Sequence, residues 1–106
     1  MLPSLLMPAG FTFLVVSLST IASDDLSVKP AAGFVPTADV AIAIAVAVMG
    51  PIYGMDNIEH ETPFHARLID GVWIVSGSLR PGQVGGVAEA RIAQVDGRVL
   101  GVLHGK

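Results

Sequence analysis

Between Val40 and Val48 the chain alternates branched aliphatic residues with alanine, inside the longer stretch TADVAIAIAVAVMGP of residues 37–51. Strict period-two alternation is the pattern of a half-buried strand. The same run suits a buried helix, because Val40, Ile44 and Val48 also recur at i, i+4, i+8 with alanines between them. Helix signals flank it. Thr37 stands at the N-cap position, Asp39 in the first turn, Pro36 just outside, and Gly50-Pro51 where a helix stops or kinks. Valine and isoleucine are mediocre helix formers, which keeps the strand reading open at this level. A membrane span needs about 20 apolar residues, and Asp39 and Asp56 flank too short a run.

Further along, IYGMDNIEHETP reads as a polar loop with room for one helical turn, and Gly54 suits the position just past a helix end. From Pro63 the texture changes to short apolar runs broken by turn residues. Asp70-Gly71 separates PFHARLI from VWIVSGSL, and Asp96-Gly97 separates VAEARIAQV from RVLGVLHG. A two-residue Asp-Gly between alternating segments predicts a type I′ hairpin, in which both turn residues need positive φ. The joining sequence RPGQVGG, residues 80–86, excludes regular structure through its proline and three glycines.

Two-residue turns fix a register. In the first hairpin Leu68 faces Trp73, Ala66 faces Val75 and Phe64 faces Gly77, on a dry side that makes Trp73 a core residue. His65, Arg67, Ile69, Val72, Ile74 and Ser76 take the mixed side. In the second, Ala90 faces Leu103 and Ile92 faces Gly101 on the dry side, while Glu89 faces His104 and Arg91 faces Val102 opposite. A sheet with one dry face needs a cover, and residues 37–51 are the remaining apolar segment able to supply it. The expected fold class is therefore α+β, one main helix packed on a four-stranded antiparallel meander.

The 106 residues suffice for one small domain, and 52% hydrophobic against 14% charged residues is not the composition of a disordered chain. Net charge is −3 with no basic cluster, which argues against nucleic acid as a partner. The charge is divided: residues 24–61 carry −5, and residues 62–106 carry +2. Cysteine is absent, so disulfides and thiolate metal sites are excluded. The first 23 residues hold no charged side chain; an apolar stretch at 11–18 is followed by small residues around Thr20-Ile21-Ala22. Residues 1–23 thus read as a signal peptide or an uncleaved membrane anchor, though without the usual Lys or Arg near the start. This places the protein in the periplasm or cell envelope, and membrane contact is expected through that anchor alone. Residues 24–36, with Pro30, Gly33 and Pro36, read as a linker, and residues 37–106 as the folded domain.

Catalytic and metal signatures do not assemble. His60-Glu61-Thr62-Pro63-Phe64-His65 approaches a zinc-protease helix motif, but the spacing is one residue too long and a proline interrupts it. VSGSLRPG lacks a serine-centred nucleophile elbow, and GQVGG lacks the lysine and spacing of a phosphate loop. Neither an enzyme nor a cofactor is expected. The best polar constellation is Glu89 opposite His104, with Arg67, Ser76, Arg91 and Lys106 able to share that sheet face. It reads either as a partner-binding patch or as a solvated face with ordinary cross-strand pairs. Asp56, Glu59 and Glu61 form an acidic segment that could meet a basic partner surface or simply confer solubility.

Tyr53-Gly54, Phe64, Asp70-Gly71 with Trp73, Gly77, Gly85-Gly86, Asp96-Gly97 and the closing His104-Gly105-Lys106 carry a resemblance. Over about 70 residues the chain resembles a family of small bacterial immunity proteins related in fold to nuclear transport factor 2, a cystatin-like cone. The resemblance implies helices on a curved antiparallel sheet, here expected in truncated form. It also implies a cognate partner, a secreted toxin of a polymorphic system, which such proteins bind and neutralise by occluding its active site or substrate access. The alternative function, from a different class, is a non-catalytic envelope domain that binds a small ligand or peptide in the sheet concavity.

Overall fold

A computed structural model of the chain describes residues 26–106. The expected export segment, residues 1–23, lies outside them. Residues 37–53 settle as helix. Helix α1 runs Ala38–Tyr53, and the Thr37 hydroxyl accepts the Val40 N–H at 3.4 Å as its N-cap. The helix does not stop at Gly50-Pro51 but carries Pro51 inside its last turn. It ends at Gly54, whose N–H donates to the Gly50 carbonyl at 2.8 Å. A five-residue helix, α2, follows at Met55–Glu59, where the sequence leaves room for one turn.

Four strands form one antiparallel sheet in the order β1-β2-β3-β4: His65–Ile69, Val72–Ser76, Ala88–Ala93 and Val99–His104. This is the α+β meander that the turn chemistry predicts. The first hairpin has the expected register, with Ala66 opposite Val75 and Leu68 opposite Trp73. Its turn has positive φ at both Asp70 and Gly71, 48° and 76°, as a type I′ turn requires.

The second hairpin departs from expectation. Asp96-Gly97 is not a two-residue turn. Ala93 N–H donates to the Arg98 carbonyl at 2.9 Å, which leaves residues 94–97 as a four-residue loop. The Asp96 carboxylate accepts the Arg98 N–H at 3.0 Å, and only Gly97 of the pair has positive φ. That change moves the pairing by two positions and keeps every side chain on its predicted side. A bulge then intervenes: Ile92 pairs with Val99 but Arg91 with Gly101, so Leu100 is an extra residue. One extra residue turns the rest of β4 over. Glu89 therefore faces Leu103, Ala90 faces Val102, Arg91 faces Gly101, and His104 lies opposite Ala88. The predicted Glu89–His104 pair does not form.

The covered face holds the core, built from Ala41, Ala45 and Met49 of α1 and Trp73, Val75, Ala88, Ala90 and Ile92 of the sheet. The face of α1 that meets the sheet is thus one position later than Val40, Ile44 and Val48. Val40 is exposed, whereas Ala41, Ala45 and Met49 are fully buried. Alanine brings the helix axis close to the strands, and the larger aliphatics fill the flanks. The end of the expected linker is fastened to this domain. Phe34 and Val35 N–H groups donate to the Val95 and Gln94 carbonyls at 3.1 and 3.0 Å. The buried Trp73 indole N–H donates to the Val35 carbonyl at 2.8 Å, and Val35 itself joins the core.

Candidate functional site

Two surfaces merit attention, one on each side of the sheet. The first is a cleft where the end of β4 meets the helices. The bulge at Leu100 turns His104 toward the helix side, where its ring stands edge-on to Tyr53 with centroids 5.3 Å apart. Its Nε2 lies 2.9 Å from Oε2 of Glu61, a residue of the α2–β1 connection. The other carboxylate oxygen of Glu61 accepts the Ala88 N–H at 2.7 Å. The Glu61 carbonyl accepts the Ser78 N–H, also at 2.7 Å. Gly77 makes this possible, since a Cβ there would stand 2.6 Å from the Glu61 carboxylate. Glu61 thus ties the α2–β1 connection to the ends of β2, β3 and β4.

The protonation state of His104 follows from its partners. Nδ1 lies 2.7 Å from the Gly105 carbonyl, an acceptor only, so Nδ1 carries a proton. A neutral ring would then point the Nε2 lone pair at the Glu61 carboxylate. Protonating Nε2 replaces that repulsion with a charge-assisted hydrogen bond. The Gly105 carbonyl foremost, then the Glu61 hydrogen bond and charge, raise the His104 pKa above the ordinary 6.5, while partial burial opposes them.

The cleft has a volume of about 410 Å³ and is lined by Tyr53, Asn57, His60, Glu61, Leu79 and His104 among others. His60 Nδ1 donates to the Asp56 carbonyl at 2.6 Å, and the Asn57 amide donates to the Tyr53 carbonyl at 2.7 Å. Both ring nitrogens of His104 and both oxygens of Glu61 are engaged within the protein, which suits a structural latch rather than an acid–base pair. Among the described residues no group of three or more His, Cys, Asp or Glu converges to hold a metal ion.

The second surface is the sheet face turned away from the core. Register places His65, Ser76, Glu89 and Leu103 in one row across the four strands, and Arg67, Ile74, Arg91 and Gly101 in the next. A trough of about 240 Å³ runs beside His65, Arg67, Ile74 and Ser76. Arg91 Nε lies 3.3 Å from the Glu89 carboxylate, a same-strand pair at i, i+2. No carboxylate pairs with Arg67 among the described residues.

Four of the residues singled out in the sequence, Arg67, Ser76, Glu89 and Arg91, therefore share one open face. His104 does not join them and meets Glu61 in the cleft instead. Glu61 is correspondingly half-buried and not part of an open acidic surface, whereas Asp56 and Glu59 lie exposed on and beside it in α2. Lys106 is exposed beyond β4. The pairing of Glu61 with His104 has no sequence signal, because 43 positions separate them and the bulge decides which way His104 points.

The family model described as NTF2 fold immunity protein matches residues 40–106, which include most of α1 and the whole sheet. The chain belongs to the family of NTF2-fold immunity proteins. Helices on one side of a four-stranded antiparallel sheet agree with that fold. Among curated proteins the chain is 34% identical over 68 residues to the uncharacterized protein YhhH of Escherichia coli strain K12. That match covers 63% of this chain and 54% of YhhH, so the chain spans about half the length of this relative. No solved structure matches it.

Proposed function

We propose that this protein neutralises a cognate secreted bacterial toxin of a polymorphic system by binding it and occluding its active site or substrate access. The observation that carries the reading is membership of an immunity family in a domain with one face of its sheet open across all four strands. A protein partner needs a broad surface of about 800 Å² per side, which a four-stranded face can approach and a small cleft cannot. Immunity proteins act by stoichiometric binding, so the action proposed is non-catalytic and needs no cofactor. The signal-like residues 1–23 support action in the periplasm or cell envelope, against a toxin that attacks there.

The test is coexpression with the product of the adjacent open reading frame where that frame encodes a secreted toxin, sent to the periplasm. Cells carrying both are expected to grow, the two proteins to copurify in a fixed ratio, and the tagged full-length chain to fractionate with the envelope. Growth arrest despite expression of the folded protein would overturn the immunity reading, and a wholly cytosolic chain would overturn the compartment. The cleft supports a second reading, a site for a small polar ligand or peptide between Tyr53, His60 and His104. Toxin binding that survives bulky substitutions at Leu79 and Asn57, at the cleft mouth, separates the two.

A further inference from the structure

The open sheet face has the chemistry of a partner site as well as the shape. Solvated faces of antiparallel sheets are ordinarily polar. Here the row Arg67-Ile74-Arg91-Gly101 sets an apolar side chain between two guanidinium groups, and Ile69 and Leu103 stand beside it, 43% and 49% exposed. Adjacent strands lie about 4.8 Å apart, so the two arginines are separated by roughly 10 Å across the intervening β2. Their charges are incompletely used. Glu89 is the single carboxylate in these two rows, and it meets Arg91 through Nε, which leaves the terminal amino groups of that guanidinium available. Arg67 has no carboxylate partner among the described residues. Beyond Arg91 the row ends on Gly101, where a Cβ would meet nothing within 4 Å, so the approach is open. The exposed acids Asp39, Asp56 and Glu59 belong to the helices, and Asp70 and Asp96 to the hairpin turns beyond the ends of these rows.

From this we infer that the open face binds an acidic–apolar patch on a partner protein: two carboxylates roughly 10 Å apart, received by Arg67 and Arg91, with an apolar residue between them against Ile74. Arginine suits the task because its planar fork takes a carboxylate through two parallel hydrogen bonds. The apolar centre selects a protein surface over a free anion. The inference rests on the immunity reading, and it names the chemistry that the toxin must offer.

Titration calorimetry of the full chain against the inactivated toxin that it protects from in the coexpression test, at two salt concentrations, tests it. The double variant R67E/R91E is expected to bind on the order of 100-fold more weakly, with the salt dependence of the native complex lost. R67E alone breaks no internal pair and serves as the variant whose folding is safe; it is expected to weaken binding about 10-fold. D39K on the helix side is expected to bind as the native protein does. Native-like affinity and protection from R67E/R91E, beside firm binding by the native chain, overturns this inference and leaves the immunity reading intact. Absence of toxin binding by the native chain overturns both. Arginine-dependent binding to phosphatidylglycerol vesicles without toxin binding would assign the face to a membrane and also overturn the inference.

Discussion

The two faces of the sheet are made from the same strands and differ in almost every physical respect. On the covered face Val75, Ala88, Ala90 and Ile92 are at most 1% exposed and meet the alanine stripe of α1. On the open face the alternate residues of those strands, Ile74, Glu89 and Arg91, are half-buried or exposed. Packing on the first leaves little room for change, since an interior at close-packed density registers a single methylene. The second tolerates change in folding terms and should be sensitive in binding terms. The contrast locates stability on one side of a sheet only four strands wide, and the proposed recognition surface lies a few ångströms away on the other.

Substitutions can break that contrast or sharpen it. The largest effect is expected at the centre of the covered face, where Ile92→Ala should destabilise by about 2–5 kcal/mol through lost burial and a cavity. Urea unfolding measures it, and a loss under 1 kcal/mol would mean that the helix does not seal the sheet as described. Next comes Trp73→Phe, which leaves the buried Val35 carbonyl without its donor and should cost about 1–3 kcal/mol. Amide exchange should quicken at Phe34 and Val35 before the strands respond, because that hydrogen bond anchors the segment.

A smaller effect is expected of His104, and it carries a pH signature. Its folded-state pKa is raised, so its contribution to stability is fully present below the unfolded value near 6.5. That contribution is lost as pH rises through the higher folded value. Melting temperatures of the native protein should therefore fall over that window relative to those of His104→Gln. Parallel curves for the two proteins would refute the latch. Smallest of all, Arg67→Glu should shift folding stability by at most about 0.5 kcal/mol, since the residue is exposed and has no ion-pair partner among the described residues. A large loss of stability there would show that the open face is structural after all.

Much of this architecture is legible in the residues, and the failures are specific. Asp70-Gly71 announces a two-residue turn and delivers its register, because the turn's dihedral demands are local to those two residues. Thr37 marks the start of α1 for the same reason, its hydroxyl reaching a backbone N–H three positions on. The buried side of α1 is misread because almost every position from 40 to 49 is apolar. Val40-Ile44-Val48 and Ala41-Ala45-Met49 have one period and differ only in phase. Asp96-Gly97 misleads because the same dipeptide also closes a four-residue loop, with the Asp96 carboxylate holding Arg98 N–H. Of the candidate site, Arg67, Ser76, Glu89 and Arg91 are correctly grouped, since β2 and β3 keep their alternation. His104 is lost from that group at the bulge.

The chain's local chemistry settles the helix cap, the first hairpin, the dry sides of β2 and β3 and the need for a helical cover. The first three depend on residues within a few positions of one another, and the cover follows from the dry sides that they leave. What packing settles is the phase of α1, the bulge at Leu100, the docking of Val35 under Trp73 and the meeting of Glu61 with His104. Those depend on segments that approach one another only once the core has closed. A one-residue slip in β4 is locally inconspicuous, yet it decides which face receives the imidazole. The same slip changes what β4 contributes to the open face, placing Leu103 and Gly101 there instead of His104 and Val102, while Arg67, Ile74 and Arg91 hold their places without it.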